Sequence, residues 1–339
     1  MITIKDIAKK AGVSHTTVSR ALNDNPAIPE RTASAIKQLA KDMGYMRSVA
    51  AQGLRGSPTN AVGVMISRLN NPYFGDILQG IEDHIRDKGY VLLTSSSDFD
   101  MKKEQQAFQA FLERRVDGLI VSSTNFNADQ QSFFKNYELP VVVINNQTGA
   151  NLYNSISNDD FYGASEVTRY LIGQGYKNLA YLGNAKAGRI NKERFGGFRA
   201  ELEIARLLLN ENLVVTATDG DMPAGEAAMR SLLEHGSRPD AVFCFNDLIA
   251  IGAMHALKEF KLAVPQQVAV AGFDDIPYSS FTSPSLTTFD QPKRELGWHA
   301  AEMLMELVRR TRLEGKVPEL KSVILRGKLL VRESTNHKA

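Results

Sequence analysis

Through the first 45 residues, apolar positions fall at helical spacing. Ile4, Ile7, Ala8 and Ala11 form one stripe, and Gly12 stops the run. Ser14 stands where a cap for a second helix belongs, and Val18 and Leu22 are that helix's inward residues. A third helix is expected over Glu30–Met43, with Ile36, Leu39, Ala40 and Met43 inward and Gly44 past its end. Three short helices with a tight Gly-Val turn between the first two predict a helix-turn-helix. The pattern lapses over 46–60, MRSVAAQGLRGSPTN, which reads as a linker. From Ala61 onward, short apolar runs (AVGVMIS, YVLLTSSS, VDGLIVSS, LPVVVIN, NLAYLG, DAVFCFN, VAVAGFDD) alternate with amphipathic windows. The windows predict helices at Phe74–Lys88, Lys102–Arg114, Phe161–Gly173, Arg194–Leu207, Pro223–Glu234, Leu248–Phe260 and Arg294–Arg312. Strands alternating with helices imply parallel sheets covered on both faces, and the number of strands suits two lobes better than one sheet.

Composition adds little to the fold but narrows the function. A chain of 339 residues, 43% hydrophobic and 23% charged, is long enough for two or three globular domains and is not of disordered composition. Cys244 is the single cysteine, which rules out an intrachain disulfide and suits a reducing compartment. The opening MITIKDIAKKAG has no apolar signal-peptide run, and no stretch is apolar enough to span a membrane, so a cytoplasmic location is expected. Charge is unevenly placed: residues 1–60 carry nine Lys/Arg against four Asp/Glu, whereas the remainder is mildly acidic. A basic head on an acidic body points to a polyanion partner for the head alone.

The second helix, SHTTVSRALN, carries the chemistry of that head. His15, Thr16, Ser19 and Arg20 face away from Val18 and Leu22. A helix in the major groove presents its first residues to base edges, and Arg20 has the geometry for bidentate pairing with guanine. Thr3, Thr17, Ser19 and Asn23 suit phosphate contacts, which position without specifying. Taken alone, the same row also fits a solvated helix in a small bundle.

In the body, polar residues collect at strand ends, where ligands bind in α/β folds. Asn70-Asn71-Pro72-Tyr73-Phe74 offers amides and aromatics to a sugar or base, although the two rings would equally plug a lobe interface. Ser95, Ser96, Ser97 and Asp98 follow the second strand and read equally as a helix cap. Asn145 ends VVVIN, Asn246 and Asp247 end VFCFN, and Asp274 and Asp275 end VAGFDD. Asp274 suits a vicinal diol. Arg194, read as near a helix start, has the usual profile of a solvated arginine, and Gly197 beside it permits close packing. No nucleophile-elbow, zinc-protease, CxxC, P-loop or GxGxxG pattern is present, so no enzyme, metal or cofactor is expected.

IKDIAKKAGVSHTTVSRALN closely resembles the DNA-binding headpiece of the lac repressor/galactose repressor family, and the similarity runs through VAAQGLRG, NPYF, FNDLIAIGA, GFDD and LTTFDQP. The resemblance implies that His15 and Thr16, which follow the turn serine Ser14, and Arg20 read bases, and that Leu54 wedges into the minor groove. It implies effector contacts from Tyr73, Phe74, Asn145, Arg194, Asn246 and Asp274, with Phe245 and Gln291 as further candidates. Departures from the family pattern are Arg47 and Ser48 in place of proline and asparagine, Pro29 at a position usually held by a capping residue, and Gly53 within the hinge.

The expected architecture is an all-α headpiece (1–46), a hinge (47–60) and a two-lobed, periplasmic-binding-protein-like core (61–336) of two parallel sheets flanked by helices. The first lobe is expected at about 61–158 and 291–320, the second at about 159–290 and 321–336, with LTTFDQP as one crossing. The expected function is a dimeric repressor whose grip on a palindromic operator is set by a small effector, a sugar or sugar derivative. A purine or nucleoside is the alternative effector. An intracellular binding protein or an enzyme would be a different class. Leucine heptads for a tetramer are not visible near the C-terminus.

Overall fold

The computed structural model describes residues 2–45, 58–122, 139–145, 153–314 and 320–336. Leu54 and the hinge residues 46–57 lie outside the described residues. The chain divides into two compact units, Met1–Thr59 and Asn60–Ala339.

The first unit is a bundle of α1 (Ile4–Ala11), α2 (His15–Leu22) and α3 (Glu30–Asp42). Thr3 and Asp6 form a reciprocal capping box at the start of α1. Gly12 ends α1 at φ +68°, a left-handed conformation that costs glycine nothing. That turn swings the chain directly into α2. Ser14 caps α2 by accepting from the Thr17 amide at 3.0 Å. Pro29 precedes α3 without a side-chain cap, as the sequence suggested. Ile7, Val18, Ala21, Leu22, Ile36 and Ala40 close the core between the three helices.

In the second unit the first sheet has the order β11-β5-β4-β3-β1-β2 and the second the order β12-β10-β9-β8-β6-β7. The strands of the first are β1 (Ala61–Ile66), β2 (Val91–Ser96), β3 (Gly118–Val121), β4 (Val141–Ile144), β5 (Asn154–Asn158) and β11 (Ser322–Leu325). Those of the second are β6 (Leu179–Asn184), β7 (Val214–Ala217), β8 (Ala241–Cys244), β9 (Ala269–Asp274), β10 (Thr287–Asp290) and β12 (Lys328–Leu330). Pairing is parallel throughout except for β10 with β12, an antiparallel edge.

Helices cover both faces of each sheet. The first packs α4 (Tyr73–Arg86) with α10 (Lys293–Glu314) on one side and α5 (Met101–Glu113) on the other. The second lies between α8 (Met222–Glu234) with α9 (Asp247–Glu259), and α6 (Asp160–Gly173) with α7 (Gly188–Ile204). A Cβ on Gly197 would stand 2.4 Å from the Phe161 carbonyl, so glycine is what lets α7 meet α6.

Each lobe is discontinuous, because the chain crosses between lobes after Asn158, after Asp290 and after Leu325. The crossings touch one another. The Asp159 amide donates to the Leu325 carbonyl at 2.9 Å, and a Cβ on Gly327 would lie 2.0 Å from the Asp290 carbonyl. One boundary differs from expectation. The change of lobe expected at 320 falls after Leu325, because Ser322–Leu325 pairs with β5 in the first sheet before Lys328–Leu330 joins the second.

Candidate functional site

Two surfaces gather the residues singled out by sequence. On the headpiece, α2 buries Val18, Ala21 and Leu22 and leaves His15, Thr16 and Arg20 exposed. Thr17 and Ser19 are half-buried. The Ser14 hydroxyl also pairs with the Thr17 hydroxyl at 2.9 Å, and the Asn23 amide donates to the Ser19 carbonyl at 2.8 Å. Ser14, Asn23 and Thr3 are therefore helix-end residues first, with exposed faces available to a partner. Lys5, Lys9 and Lys10 on α1 are exposed as well. The surface is a short helix with a polar row of donors and acceptors backed by basic charge.

The second surface is a cavity of about 430 Å³ in the body. Its wall contains all eight expected effector candidates: Tyr73, Phe74, Asn145, Arg194, Phe245, Asn246, Asp274 and Gln291. They are brought together by the strand ends and the lobe crossings. At the first lobe, the Tyr73 hydroxyl accepts from Asn145 at 2.7 Å and from Asn158 at 3.0 Å, and donates to Gln291 at 3.4 Å. The Asn158 amide also donates to Gln291 Oε1. Gln291 then donates to Asp274 Oδ1 at 2.5 Å. Arg194 continues the chain. Its Nε donates to Asp160 at 2.8 Å, and its Nη1 donates to the Phe245 carbonyl at 2.5 Å and reaches Asp274 at 3.5 Å. A polar network thus runs from one lobe to the other along the cavity floor.

Arg194 departs from the solvated profile its sequence context suggested. It sits well inside α7 and is only 4% exposed. Its guanidinium lies 3.8 Å from the Phe273 ring centroid and 4.4 Å from that of Phe245. Burial opposes its charge, but Asp160 and Asp274 outweigh that and raise its pKa further. Asp274 feels the reverse balance. Burial pushes its carboxyl up to about 6, with Arg194, Lys293 and Gln291 pulling against it. Burial likewise raises the Tyr73 phenol and the Asp160 carboxyl.

Backbone strain marks both ends of the network, with Asn145 at φ +55° and Asp274 at φ +117°. Non-glycine residues rarely hold such angles, and those that do concentrate at sites where a side chain must be aimed.

Asn246 lines the wall, but its amide is committed: it accepts from the Ile249 amide to cap α9 and donates to the Gly220 carbonyl. The tandem carboxylates do not act as a pair. Asp275 bonds Arg332 at 2.7 Å, while Asp274 faces Gln291 and Arg194. Cys244 is core, its thiol raised by burial. Ser95 and Ser96 lie within β2 rather than after it, where they pair with Met65 and Ile66, and α5 is capped by Asp100.

Sequence reading missed several residues in or behind the wall. Asp160 lines the wall and Asn158 lies behind it, both within NSISNDD, a stretch too polar to look like a buried strand end, yet β5 is buried along its whole length. Lys293, buried at the crossing, bonds the Asp274 and Asp275 carbonyls. At the rim, Arg68 after β1 meets Asp219 at 2.5 Å and Asp221 at 3.5 Å, which follow β7 in the other lobe. Lys186 joins Asp219 at 2.7 Å, and both Arg68 and Lys186 face the Phe99 ring.

Two family models match the chain. One, described as bacterial regulatory proteins, lacI family, covers residues 3–48; the other, described as periplasmic binding proteins and sugar binding domain of LacI family, covers residues 59–322. The chain is 32% identical over 327 residues to the HTH-type transcriptional repressor PurR of Pectobacterium carotovorum subsp. carotovorum strain PC1, covering 96% of each. A PurR of Aliivibrio fischeri strain MJ11 is also 32% identical, over 98% of this chain and 99% of that one. Among solved structures, a complex of the transcriptional regulator CelR with cellobiose aligns with a TM-score of 0.74 at 25% identity, over 98% of this chain and 100% of that one. The lac repressor dimer bound to operator and the anti-inducer ONPF shares the fold, with a TM-score of 0.84 at 24% identity over 98% of this chain and 99% of that one.

Proposed function

The chain belongs to the lacI family of bacterial regulatory proteins and is a DNA-binding transcriptional repressor under small-molecule control, and from that premise we propose how its residues divide the work. His15, Thr16 and Arg20 read operator bases from the exposed face of α2. Thr3, Ser14, Thr17, Ser19 and Asn23 meet phosphates, which fix register. Leu54, outside the described residues, wedges into the minor groove. The chain works as a homodimer, so that two headpieces meet two half-sites of a near-palindromic operator.

The effector enters the cavity between the lobes, where Tyr73, Phe74, Asn145, Arg194, Phe245, Asn246, Asp274 and Gln291 receive it. It is a sugar or sugar derivative. The observation that carries this reading is the continuous network from Asn145 and Tyr73 through Gln291 to Asp274 and Arg194. A ligand inserted there exchanges hydrogen bonds with both lobes at once and so shifts how they close. Planar amides, carboxylates and a guanidinium beside aromatic rings are the groups that bind hydroxyl-rich ligands, with the rings meeting the apolar sugar face. A purine or nucleoside is the second reading, favoured by the relatives named PurR.

A thermal-shift screen of neutral sugars against purine bases and nucleosides separates these readings. Arg194→Lys, which keeps the buried charge, is the paired control. A ligand at about 100 times its dissociation constant adds roughly 2.7 kcal/mol, a clear shift in melting. Stabilisation by a sugar that weakens in the variant supports the main reading. Stabilisation by a purine alone replaces it with the second, and equal stabilisation of the variant would remove Arg194 from the site.

A further inference from the structure

Both guanidiniums in the wall of this cavity are bracketed by carboxylates. On the floor, Arg194 stands between Asp160 and Asp274. At the rim, Arg68 stands between Asp219 and Asp221, with Lys186 sharing Asp219. Lys293, beneath the floor, points its ammonium at the Asp274 and Asp275 carbonyls and at Asp290. Among the described lining residues, four aspartates face two arginines, so the cavity has no surplus positive charge to offer an anion. A phosphate or carboxylate entering it would lose hydration and meet like charge without a free cation to compensate.

We propose that the Asp219–Arg68–Asp221 cluster at the rim is a charge filter that restricts the effector to neutral, hydroxyl-rich molecules and rejects phosphorylated or acidic ones. The inference rests on the cleft being the effector site and specifies the chemistry that site accepts. Rim geometry supports it. Arg68 comes from the lobe of β1 and the two aspartates from the lobe of β7, so the filter assembles where the lobes meet over the cavity mouth. Burial works against the charge of Asp219, but Lys186, the Gly220 amide and Arg68 hold its carboxyl below the usual range. Asp219 therefore stays anionic at neutral pH. Phe99 lies against both rim cations, 5.6 Å from Arg68 and 5.9 Å from Lys186, and limits where they can turn.

The test uses inorganic phosphate as the probe and needs no knowledge of the natural effector. Thermal melting of the full-length protein is followed against phosphate at constant ionic strength, with chloride as the comparison. The wild type is expected to show no phosphate-specific stabilisation at millimolar concentrations. Replacing both rim carboxylates, Asp219→Asn with Asp221→Asn, leaves Arg68 and Lys186 without their anions. Phosphate affinity should then rise by roughly tenfold or more, equivalent to about 1.4 kcal/mol. Adding Arg68→Gln to that background should abolish the gain. The single Asp219→Asn variant keeps the test open if the double one folds poorly, and should show a smaller gain in the same direction. Phosphate binding by the wild type as tight as by the double variant would overturn the filter. So would a folded carboxamide variant that gains nothing. Neither outcome bears on whether the cleft binds the effector, which the sugar and purine screen with Arg194→Lys decides on its own.

Discussion

The two candidate surfaces use polar side chains in opposite ways. On α2, His15, Thr16 and Arg20 stand in solvent over a thin core, and their chemistry is directed outward. In the cleft, Tyr73, Asn158, Gln291, Asp274 and Arg194 are buried and bound to one another before any ligand arrives. A surface of the first kind loses recognition when changed but keeps its fold. A surface of the second kind is part of the fold, so a change there costs stability and function together.

The largest effect should come from breaking the buried network. Arg194→Ala removes the ion-pair partner shared by Asp160 and Asp274, and removal of one partner of a buried pair costs roughly 3–5 kcal/mol. Urea denaturation should show that loss, with Arg194→Lys retaining much of the stability. If Arg194→Ala is as stable as the wild type, the cleft is not prearranged in the way described. For the same reason, the alanine variant is a poor probe of ligand response and the lysine variant the better one.

Arg20→Ala comes next and tests the other side of the contrast. Discrimination between operator and random DNA should fall by roughly 1–3 kcal/mol, as for loss of one bidentate base contact, with melting of the body unchanged. Equal weakening on both DNAs would reduce Arg20 to a phosphate contact. Ser14→Ala removes the cap of α2 and should cost about 1 kcal/mol of headpiece stability, visible as faster amide exchange at Thr17.

A different effect, read without changing any residue, is a tilt with pH. Asp247 is buried beneath the cleft and accepts from the Ile276 amide, Ser279 and Thr288. Burial and neighbouring Asp274 push its carboxyl up to about 7 from an ordinary 3.8, and Asp274 itself is raised to about 6. A carboxyl raised in the folded state binds its proton more tightly there than in the unfolded chain. Its contribution is complete below about 4 and is lost as pH rises through about 6 to 7. The wild type should therefore melt at higher temperature near pH 5 than near pH 8. Asp247→Asn, which never ionises, should flatten that difference; an unchanged slope would mean that Asp247 does not titrate there.

How much of this was legible in the sequence follows from the same contrast. The headpiece was readable because its signals are local: Gly12, Ser14 and the Val18–Leu22 spacing lie within a few residues of one another. The helices of the body and seven of its strands were readable from periodicity and apolar runs, although α7 begins at Gly188 rather than Arg194 and β7, β10, β11 and β12 lie outside those runs. The body's polar interior was not readable. NSISN has none of the apolar character of a core strand, and it is buried because Asn158, Asn154 and Ser155 bond Gln291, Lys321 and Ser322 far along the chain. VILRGKLL reads as one segment, yet its halves join different sheets. Arg194 looked solvated because Asp160 and Asp274, separated from it by 34 and 80 positions, meet it only in the folded chain. The rim cluster of Arg68 and Asp219, 151 positions apart, is hidden for the same reason.

The proposed mechanism requires that filling the cleft changes the grip of α2 on DNA. The most direct measurement is operator affinity, by fluorescence anisotropy on a DNA site selected from a random pool, with and without a saturating ligand from the thermal screen. Wild-type affinity should change by about 5- to 150-fold, the range of a coupling energy of about 1–3 kcal/mol, and the change should shrink in Arg194→Lys. Operator affinity that is the same with the cleft empty and full would rule that mechanism out.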